Sequence, residues 1–391
     1  MTDLLLAYDF PPIGGGIARW MAEIAERYPG GPSSLVVSTG TMPNADDRGL
    51  AVDRIGVPAG RLRTLPGLWR WGRRVRALVA SRDIEFVWCG NVRPAGYLGW
   101  WLDRVAGMPY GIILHGGDLL RLRDRFRRSA VKRAVARRLL GRARWLVANS
   151  GWTASLASEV LGELGVLESG RVRVVGLGSD PGRFRPGADT VAVRSRYRIA
   201  ADRRRILTVA RLVPHKGIDI AIAALGQLAA RHPDLEYLVA GEGPDRGRLE
   251  RLAVAAGVAE RVRWLGSVPT EDLPGLYALA DLYLGLSREE GLEAEGFGIA
   301  LADAAAAGVA VIAGRSGGTA DAVRDGETGL RVDPTDAGAV ASAVSGLLEH
   351  PAGMHALGVA GREWVVRELN WDRSVRALAE LSRSAAKSAR P

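Results

Sequence analysis

A single cysteine, Cys89, stands among 391 residues, so no intramolecular disulfide can form and a reducing compartment, the cytoplasm, is expected. Lysine is also scarce: Lys132, Lys216 and Lys387 are the three among 53 basic residues. The positive charge is therefore carried by arginine, a skew that a GC-rich genome produces without any special arginine chemistry. No apolar run approaches the roughly 20 residues that a membrane-spanning helix needs, because Arg93, Asp103 and Arg104 interrupt the most hydrophobic region. The N-terminus passes from Met1 through Asp3 into an apolar strand pattern with no basic leader or cleavage site, so no signal peptide is expected. No repeat of solenoid length recurs. A G-x-G-x-x-G fingerprint, a Walker A loop and a D-x-D following a strand are all missing, which removes the usual dinucleotide and P-loop readings.

What is present is enough chain for two domains with full cores, with 47% apolar and 25% charged residues, as in ordinary globular proteins. The net charge is +10, and residues 121–144 hold eleven Arg or Lys against the one acid Asp124. The rest of the chain balances at 42 basic and 42 acidic residues. Within 121–144, Leu122, Phe126, Val131, Val135 and Leu139 recur at helical spacing, predicting one or two amphipathic helices with an arginine-rich face. That face fits a solvated surface, an anionic membrane or an anionic acceptor. Trp69, Trp71, Trp100 and Trp101 with Arg70, Arg73 and Arg74 add aromatic and basic residues to the same half. Such interleaving also suits nucleic acid, but no RNP motif or zinc spacing accompanies it, so nucleic acid is not the favoured partner.

Short apolar runs alternate with helical patterns along the first half: Leu4–Tyr8, Leu35–Ser38, Glu85–Trp88, Tyr110–Leu114, Trp145–Ala148 and Val172–Val175. A second series follows at Ile206–Ala210, Tyr237–Ala240, Val262–Leu265, Leu282–Leu286, Ala310–Ala313 and Leu330–Val332. Repeated βα units predict an α/β fold with parallel sheets. The Gly- and Pro-rich stretch from Val174 to Pro186 reads as the crossing between two domains.

Several loops then stand where ligands bind, at strand carboxyl ends. Pro11-Pro12-Ile13-Gly14-Gly15-Gly16 follows the first strand, His115-Gly116-Gly117-Asp118 the fourth, and Arg211-Leu212-Val213-Pro214-His215-Lys216-Gly217 opens the second domain. Two cations five apart before the helix predicted over Ile218–Ala230 suit a diphosphate, since that helix start adds amide donors. In the stretch Ser287 to Gly318, Glu295 precedes Gly296-Phe297-Gly298-Ile299 and a small-residue helix carrying Asp303. Glycines permit close backbone approach, and free N–H groups at the helix start face an anion or sugar hydroxyls. The same pattern also describes a capped helix beside an acidic surface loop.

This stretch resembles the E-x7-E signature of retaining GT-B glycosyltransferases, glycosyltransferase family 4, with Asp303 in place of the second glutamate and Gly317-Gly318-Thr319-Ala320-Asp321-Ala322-Val323 matching its later G-G segment. Arg211 to Gly217 is similar to the family's R-L-x-x-x-K-G, Gly241-Glu242-Gly243-Pro244 to its G-x-G-P, and Asn370-Trp371 to its F-S-W segment. The resemblance implies a GT-B architecture: two Rossmann-like doubly wound domains facing across a cleft, the acceptor domain at 1–180 and the nucleotide-sugar domain at 181–369. Residues 370–391 form a helix crossing back, with 383–391 frayed. It implies that Arg211 and Lys216 bind the donor diphosphate, Glu295 the sugar hydroxyls, the amides of Gly296, Phe297, Gly298 and Ile299 sugar and phosphate, and Asp303 the ribose. Gly15 and Gly16 approach the donor phosphate, and His115 contacts the sugar. By the same resemblance no metal or cofactor is needed. The donor is GDP-mannose or a UDP-sugar, with mannose favoured from a likeness to phosphatidylinositol mannosyltransferases. The acceptor is a lipid, glycan or small molecule, and peripheral contact with the inner face of an anionic membrane is expected. A catalytically silent binder of nucleotide sugar or anionic polymer is the other reading, prompted by Asp303.

Overall fold

The computed structural model describes residues 2–40, 47 and 49–389. The chain forms two compact units, one holding the residues up to Leu177 and those from Trp371 on, the other Gly178–Asn370. In the first unit the strands are β1 (Thr2–Ala7), β2 (Leu35–Thr39), β3 (Val52–Arg54), β4 (Ile84–Cys89), β5 (Tyr110–Leu114), β6 (Trp145–Ala148) and β7 (Val172–Val174). They make one sheet in the order β3-β2-β1-β4-β5-β6-β7, with every pair parallel. Strand β1 has Leu4, Leu5 and Leu6 all at 0% exposure, because a parallel strand is covered on both faces and therefore reads as a continuous apolar run. The short edge strand β3 carries no such run, and the sequence reading missed it.

The helices of this unit are α1 (Gly16–Arg27), α2 (Leu65–Ser81), α3 (Ala95–Ala106), α4 (Gly117–Arg127), α5 (Ala130–Arg142) and α6 (Gly151–Leu164). Residues 121–144 thus form parts of two helices. The break is set by Ser129, whose Oγ accepts the Lys132 amide at 3.4 Å and so caps α5.

The second unit holds β8 (Arg204–Val209), β9 (Leu235–Ala240), β10 (Val262–Gly266), β11 (Leu282–Gly285), β12 (Ala310–Gly314) and β13 (Leu330–Val332). Their order is β10-β9-β8-β11-β12-β13, again wholly parallel. Its helices are α7 (Val191–Arg196), α8 (Ile218–Leu228), α9 (Arg246–Ala255), α10 (Leu273–Ala278), α11 (Ile299–Ala306), α12 (Thr319–Ala322), α13 (Ala337–Glu349) and α14 (Pro351–Glu368). The last helix, α15 (Trp371–Ala389), belongs to the first unit. Trp371 stacks on Trp20 of α1 at 5.3 Å between ring centroids, and Tyr28 Oη lies 3.1 Å from Ser382 Oγ. These anchors carry the helix through Ala389, where the sequence reading had fraying from 383; residues 390–391 lie outside the described ones. Among the described residues no helix is long and apolar enough to cross a membrane.

Candidate active site

In the second unit the strand order reverses between β8 and β11, since β9 and β10 lie on one side and β12 and β13 on the other. The loops leaving two such strands diverge and open a crevice at their carboxyl ends. The loop after β8 carries Arg211 and Lys216, and the loop after β11 carries Glu295. Pro214–Lys216 makes one tight turn, and Gly217 follows with φ +69°. A Cβ on Gly217 would lie 2.0 Å from the Leu286 carbonyl oxygen, so only glycine closes this turn against the neighbouring loop. Gly217→Ala adds left-handed backbone strain and a backbone clash, together about 2–4 kcal/mol. The expected result is a lower melting temperature with weaker binding of a nucleoside diphosphate; an unchanged melting temperature by calorimetry would contradict it.

That turn presents Lys216, whose Nζ lies 2.5 Å from Glu295 Oε2, the two side chains being 18% and 20% exposed. Ser287 Oγ donates to the same oxygen at 2.9 Å. Burial pushes the Glu295 carboxyl up, but the Lys216 charge and the hydrogen bonds from Lys216 and Ser287 outweigh it and hold the group below its ordinary value. His215 is shifted down, first by burial and then by the Lys216 charge, and is therefore neutral at physiological pH. The two loops are stitched elsewhere too. The Arg288 amide donates to the His215 carbonyl at 2.8 Å, and its guanidinium makes a two-pronged pair with Asp219 in the first turn of α8, at 2.8 and 3.0 Å. Arg211 is exposed and has no carboxylate partner among the described residues; its charge is felt by His215. One cation is thus held by Glu295 and a second is free to meet an anion.

Gly298, at φ +99°, turns the chain into α11. The amides of Leu301 and Ala302 return to the Gly298 carbonyl. Those of Ile299 and Ala300 have no protein acceptor among the described residues, the usual condition of a helix start awaiting an anion or water. Phe297 is 1% exposed, so its ring is core and only its backbone is offered. Glu295 is fixed from behind, its carbonyl accepting the Gly318 amide at 2.8 Å. A Cβ on Gly317 would fall 2.2 Å from that same carbonyl oxygen. Asp303 is placed differently from Glu295. It is 3% exposed and its Oδ1 accepts the Ser179 hydroxyl at 2.6 Å.

The first unit has its own switch point, between β1 and β4. The loop after β1 brings Gly15, at φ +120°, to the start of α1 with nothing within 4 Å of a Cβ built there, and Gly16 beside it is exposed. His115, 9% exposed, follows β5, and its Nε2 lies 2.8 Å from the Gly90 carbonyl after β4. A carbonyl only accepts, so Nε2 carries the proton and Nδ1 is the nitrogen left for a ligand. Asp9 is close by, its carboxyl raised by burial and partly restored by His115 and Arg63. Asp118 fixes the loop by accepting the His115 amide at 3.0 Å.

The structure therefore joins Arg211, Lys216, Glu295 and the backbone of Gly296, Phe297, Gly298 and Ile299 in one unit, and Gly15, Gly16 and His115 in the other. Sequence reasoning gave no role to Ser287, Asp9 or Gly90. Ser287 was legible by position, directly beyond a strand's carboxyl end, whereas Asp9 and Gly90 act through partners that no local pattern reveals.

Four of the eleven basic residues of the arginine-rich segment pair with carboxylates. Arg123 contacts Glu159 and Glu163, Arg127 reaches Glu163, Arg128 reaches Asp124 and Arg142 reaches Asp103. Arg137, Arg138 and Arg144 line a cleft of about 960 Å3 with Arg133 and Arg171, between α5 and the turn after α6.

Comparison with known proteins gives this geometry its context. The family described as Glycosyltransferase Family 4 matches residues 14–183 and that described as Glycosyl transferases group 1 matches 191–364. The GDP-mannose-dependent alpha-(1-6)-phosphatidylinositol monomannoside mannosyltransferase of Mycolicibacterium smegmatis is 34% identical over 387 residues, 97% of each chain. The corresponding enzyme for the monoacylated acceptor in Corynebacterium glutamicum is 28% identical over 94% of each. Among solved structures, sucrose-phosphate synthase from Thermosynechococcus elongatus aligns over 100% of both chains with a TM-score of 0.81 at 24% identity, a likeness of fold. The chain belongs to the group 1 and family 4 glycosyltransferases and has their GT-B fold of two Rossmann-like, parallel-sheet domains.

Proposed function

We propose that this glycosyltransferase moves mannose from GDP-mannose to a phosphatidylinositol-type lipid acceptor with retention of configuration. The observation that carries the reading is the Lys216–Glu295 contact across the β8/β11 switch point, 2.5 Å long, in the unit that also carries Arg211 and the amides at the start of α11, which have no ion-pair partner and no acceptor, respectively, among the described residues. A diphosphate draws Lys216 and Arg211 as charge-assisted donors, and Glu295 is then released to accept from sugar hydroxyls. The mycobacterial and corynebacterial relatives, alike over nearly the whole chain, support mannose, guanine and an inositol lipid.

In the proposed step the bond between the sugar's anomeric carbon and the β-phosphate oxygen breaks. The acceptor oxygen bonds to that carbon on the same face, and its proton passes to the departing phosphate. Arg211, Lys216 and the amides near Phe297–Ile299 stabilise the negative charge as it grows, which is where fixed donors contribute most to rate. The first unit holds the acceptor, and His115, through Nδ1, and the open backbone at Gly15 and Gly16 are the groups that unit offers a ligand. The reaction is proposed to run on the cytoplasmic side, in peripheral contact with an anionic membrane.

The decisive experiment offers GDP-mannose and UDP-glucose separately, with phosphatidylinositol mannosides as acceptors. Lipid product with an α-linked mannose by NMR, and thermal stabilisation by GDP exceeding that by UDP, are expected. Stabilisation by nucleotide with neither transfer nor donor hydrolysis would favour the silent binder.

A further inference from the structure

We propose that Arg288 is a positioning residue for the transfer: its pair with Asp219 keeps Glu295 at the sugar once the donor has drawn Lys216 away. The inference rests on the proposed roles of Lys216 and Glu295 and holds for any nucleotide sugar.

The segment from Ser287 to Glu295 carries four glutamates, Glu289, Glu290, Glu293 and Glu295, against the one cation Arg288. Like charges repel and are best solvated in water, so such a loop has little electrostatic reason to stay folded against the unit. It nevertheless turns back on itself. Glu290 and Glu293 exchange amide-to-carbonyl bonds of 2.9 and 3.1 Å around Gly291, at φ +64°. Arg288 fastens this turn to its surroundings. Its Nη1 and Nη2 meet the two Asp219 oxygens at 2.8 and 3.0 Å, and its Nε lies 3.4 Å from Glu290 Oε2. All three guanidinium nitrogens thus face carboxylates of the chain, and a two-pronged contact fixes the plane and direction of the side chain as well as its distance. A guanidinium so engaged shapes the loops and leaves the phosphate to Arg211 and Lys216.

Asp219 is well placed to receive it. The residue lies in the first turn of α8, where the helix start favours a carboxylate, and it follows Lys216 by three positions. The Arg288 and Asp219 side chains are 17% and 16% exposed. Burial pushes the Asp219 carboxyl up, but the bonds and charge of Arg288, and then the charge of Arg248, outweigh it and hold the group below its ordinary value. Asp219 Oδ2 is also 3.5 Å from Arg248, which pairs with Asp245 at 2.7 and 2.6 Å. Asp245 stands just before α9, and its amide donates to the Leu212 carbonyl at 3.1 Å. One carboxylate therefore braces the loops that leave β8, β9 and β11.

The brace matters most when the donor is bound. In the free protein Lys216 itself holds Glu295, at 2.5 Å. Under the proposed function that contact opens, because Lys216 turns to the diphosphate. The contacts of Arg288 with Asp219, Glu290 and the His215 carbonyl use no group assigned to the donor, so they persist. Glu295 is then held on one side by the Gly318 amide on its carbonyl and on the other through the segment that Arg288 fastens. A glutamate displaced by about 1 Å loses its aim at the sugar hydroxyls, while the two cations still bind diphosphate. Removing Arg288 is therefore expected to slow turnover and to spare nucleotide affinity.

The test measures kcat and KM for the nucleotide sugar that the parent turns over, and the Kd for GDP by calorimetry, on the full chain. The variants are Arg288→Ala, Arg288→Lys, Asp219→Ala and the double alanine variant. Arg288→Ala is expected to lower kcat at least about tenfold, with GDP affinity within about twofold of the parent. Arg288→Lys keeps the charge without the two-pronged geometry and should recover part of the loss. The double variant should be no slower than the slower single one, because residues that act as a unit are non-additive. GDP binding shows that a variant is folded; if an alanine variant does not fold, Arg288→Lys and Asp219→Asn carry the same comparison. An unchanged kcat in folded variants overturns the assignment, and a lower melting temperature at parental kcat confines the pair to stability. A loss of GDP affinity as large as the loss of kcat makes Arg288 a phosphate ligand and overturns it too. Single effects that add in the double variant break the link to Asp219. A parent that neither transfers nor hydrolyses any nucleotide sugar refutes the proposed function and this inference together, whereas an active parent matched by Arg288→Ala refutes the brace alone.

Discussion

Lys216→Ala is expected to weaken nucleoside diphosphate binding at least about tenfold, and Arg211→Ala by a similar factor, since each charge-assisted contact to a phosphate contributes about 1.5–3 kcal/mol. Binding of the bare nucleoside should hardly change. The two variants differ in a second readout. Among the described residues Arg211 has no ion-pair partner to lose, so its removal should leave the melting temperature in place. Lys216 is held 2.5 Å from Glu295, and its removal strands a carboxylate beside Ser287. Because the pair is about one-fifth exposed, solvent screening reduces that cost to about 1–2 kcal/mol, below the value for a fully buried pair. Glu295→Ala should act mainly on turnover, lowering kcat on the order of a hundredfold with a smaller change in GDP affinity, because its proposed partner is the transferred sugar. Isothermal calorimetry with nucleoside, nucleoside diphosphate and nucleotide sugar separates these effects. Equal loss for nucleoside and nucleoside diphosphate would show that the loop has a structural role only.

Asp303 yields the second large effect and decides between the enzyme and the silent binder. Its carboxylate is 3% exposed and accepts the Ser179 hydroxyl at 2.6 Å. Asp303→Ala should therefore lower stability by about 1–3 kcal/mol, the cost of leaving a buried hydroxyl without its acceptor. If the same carboxylate also serves the ribose, donor affinity should fall by about 1.5–3 kcal/mol as well. Ser179→Ala removes the hydroxyl and leaves the carboxylate, so under that role donor affinity should hold or rise. Asp303→Glu adds a methylene to a side chain that is 3% exposed and held against Ser179, and should cost about 1–3 kcal/mol by overpacking. A lower melting temperature for Asp303→Ala with unchanged nucleotide-sugar affinity would confine the residue to its bond with Ser179. If the parent then showed no transfer, the silent binder would be the better account.

Much of the fold was written locally. Strands buried on both faces must be apolar throughout, which is why Tyr110–Leu114 and Trp145–Ala148 were read to the residue. Strand β3 escaped because an edge strand of three half-buried residues, Val52–Arg54, needs no apolar run. The terminal helix was read too short because its anchors, Trp20 and Tyr28, lie more than 340 residues away in sequence.

By itself, then, the sequence determined the α/β class, the two series of strands, the glycines that only certain turns accept and the candidate groups Arg211, Lys216 and Glu295. These are properties of short windows, governed by periodicity and backbone sterics. The tertiary structure decided which of them meet. Lys216 and Glu295, 79 residues apart, become neighbours through the strand order at the switch point, and Ser179 and Asp303, 124 apart, through tertiary packing. It also decided which charges remain. Four of the basic residues of 121–144 pair with Asp124 or with Asp103, Glu159 and Glu163 on other helices, partners that no local window shows. Trp69 and Trp71 are two residues apart, so helical geometry puts them on opposite faces, but only packing decides that Trp71 is 0% and Trp69 62% exposed.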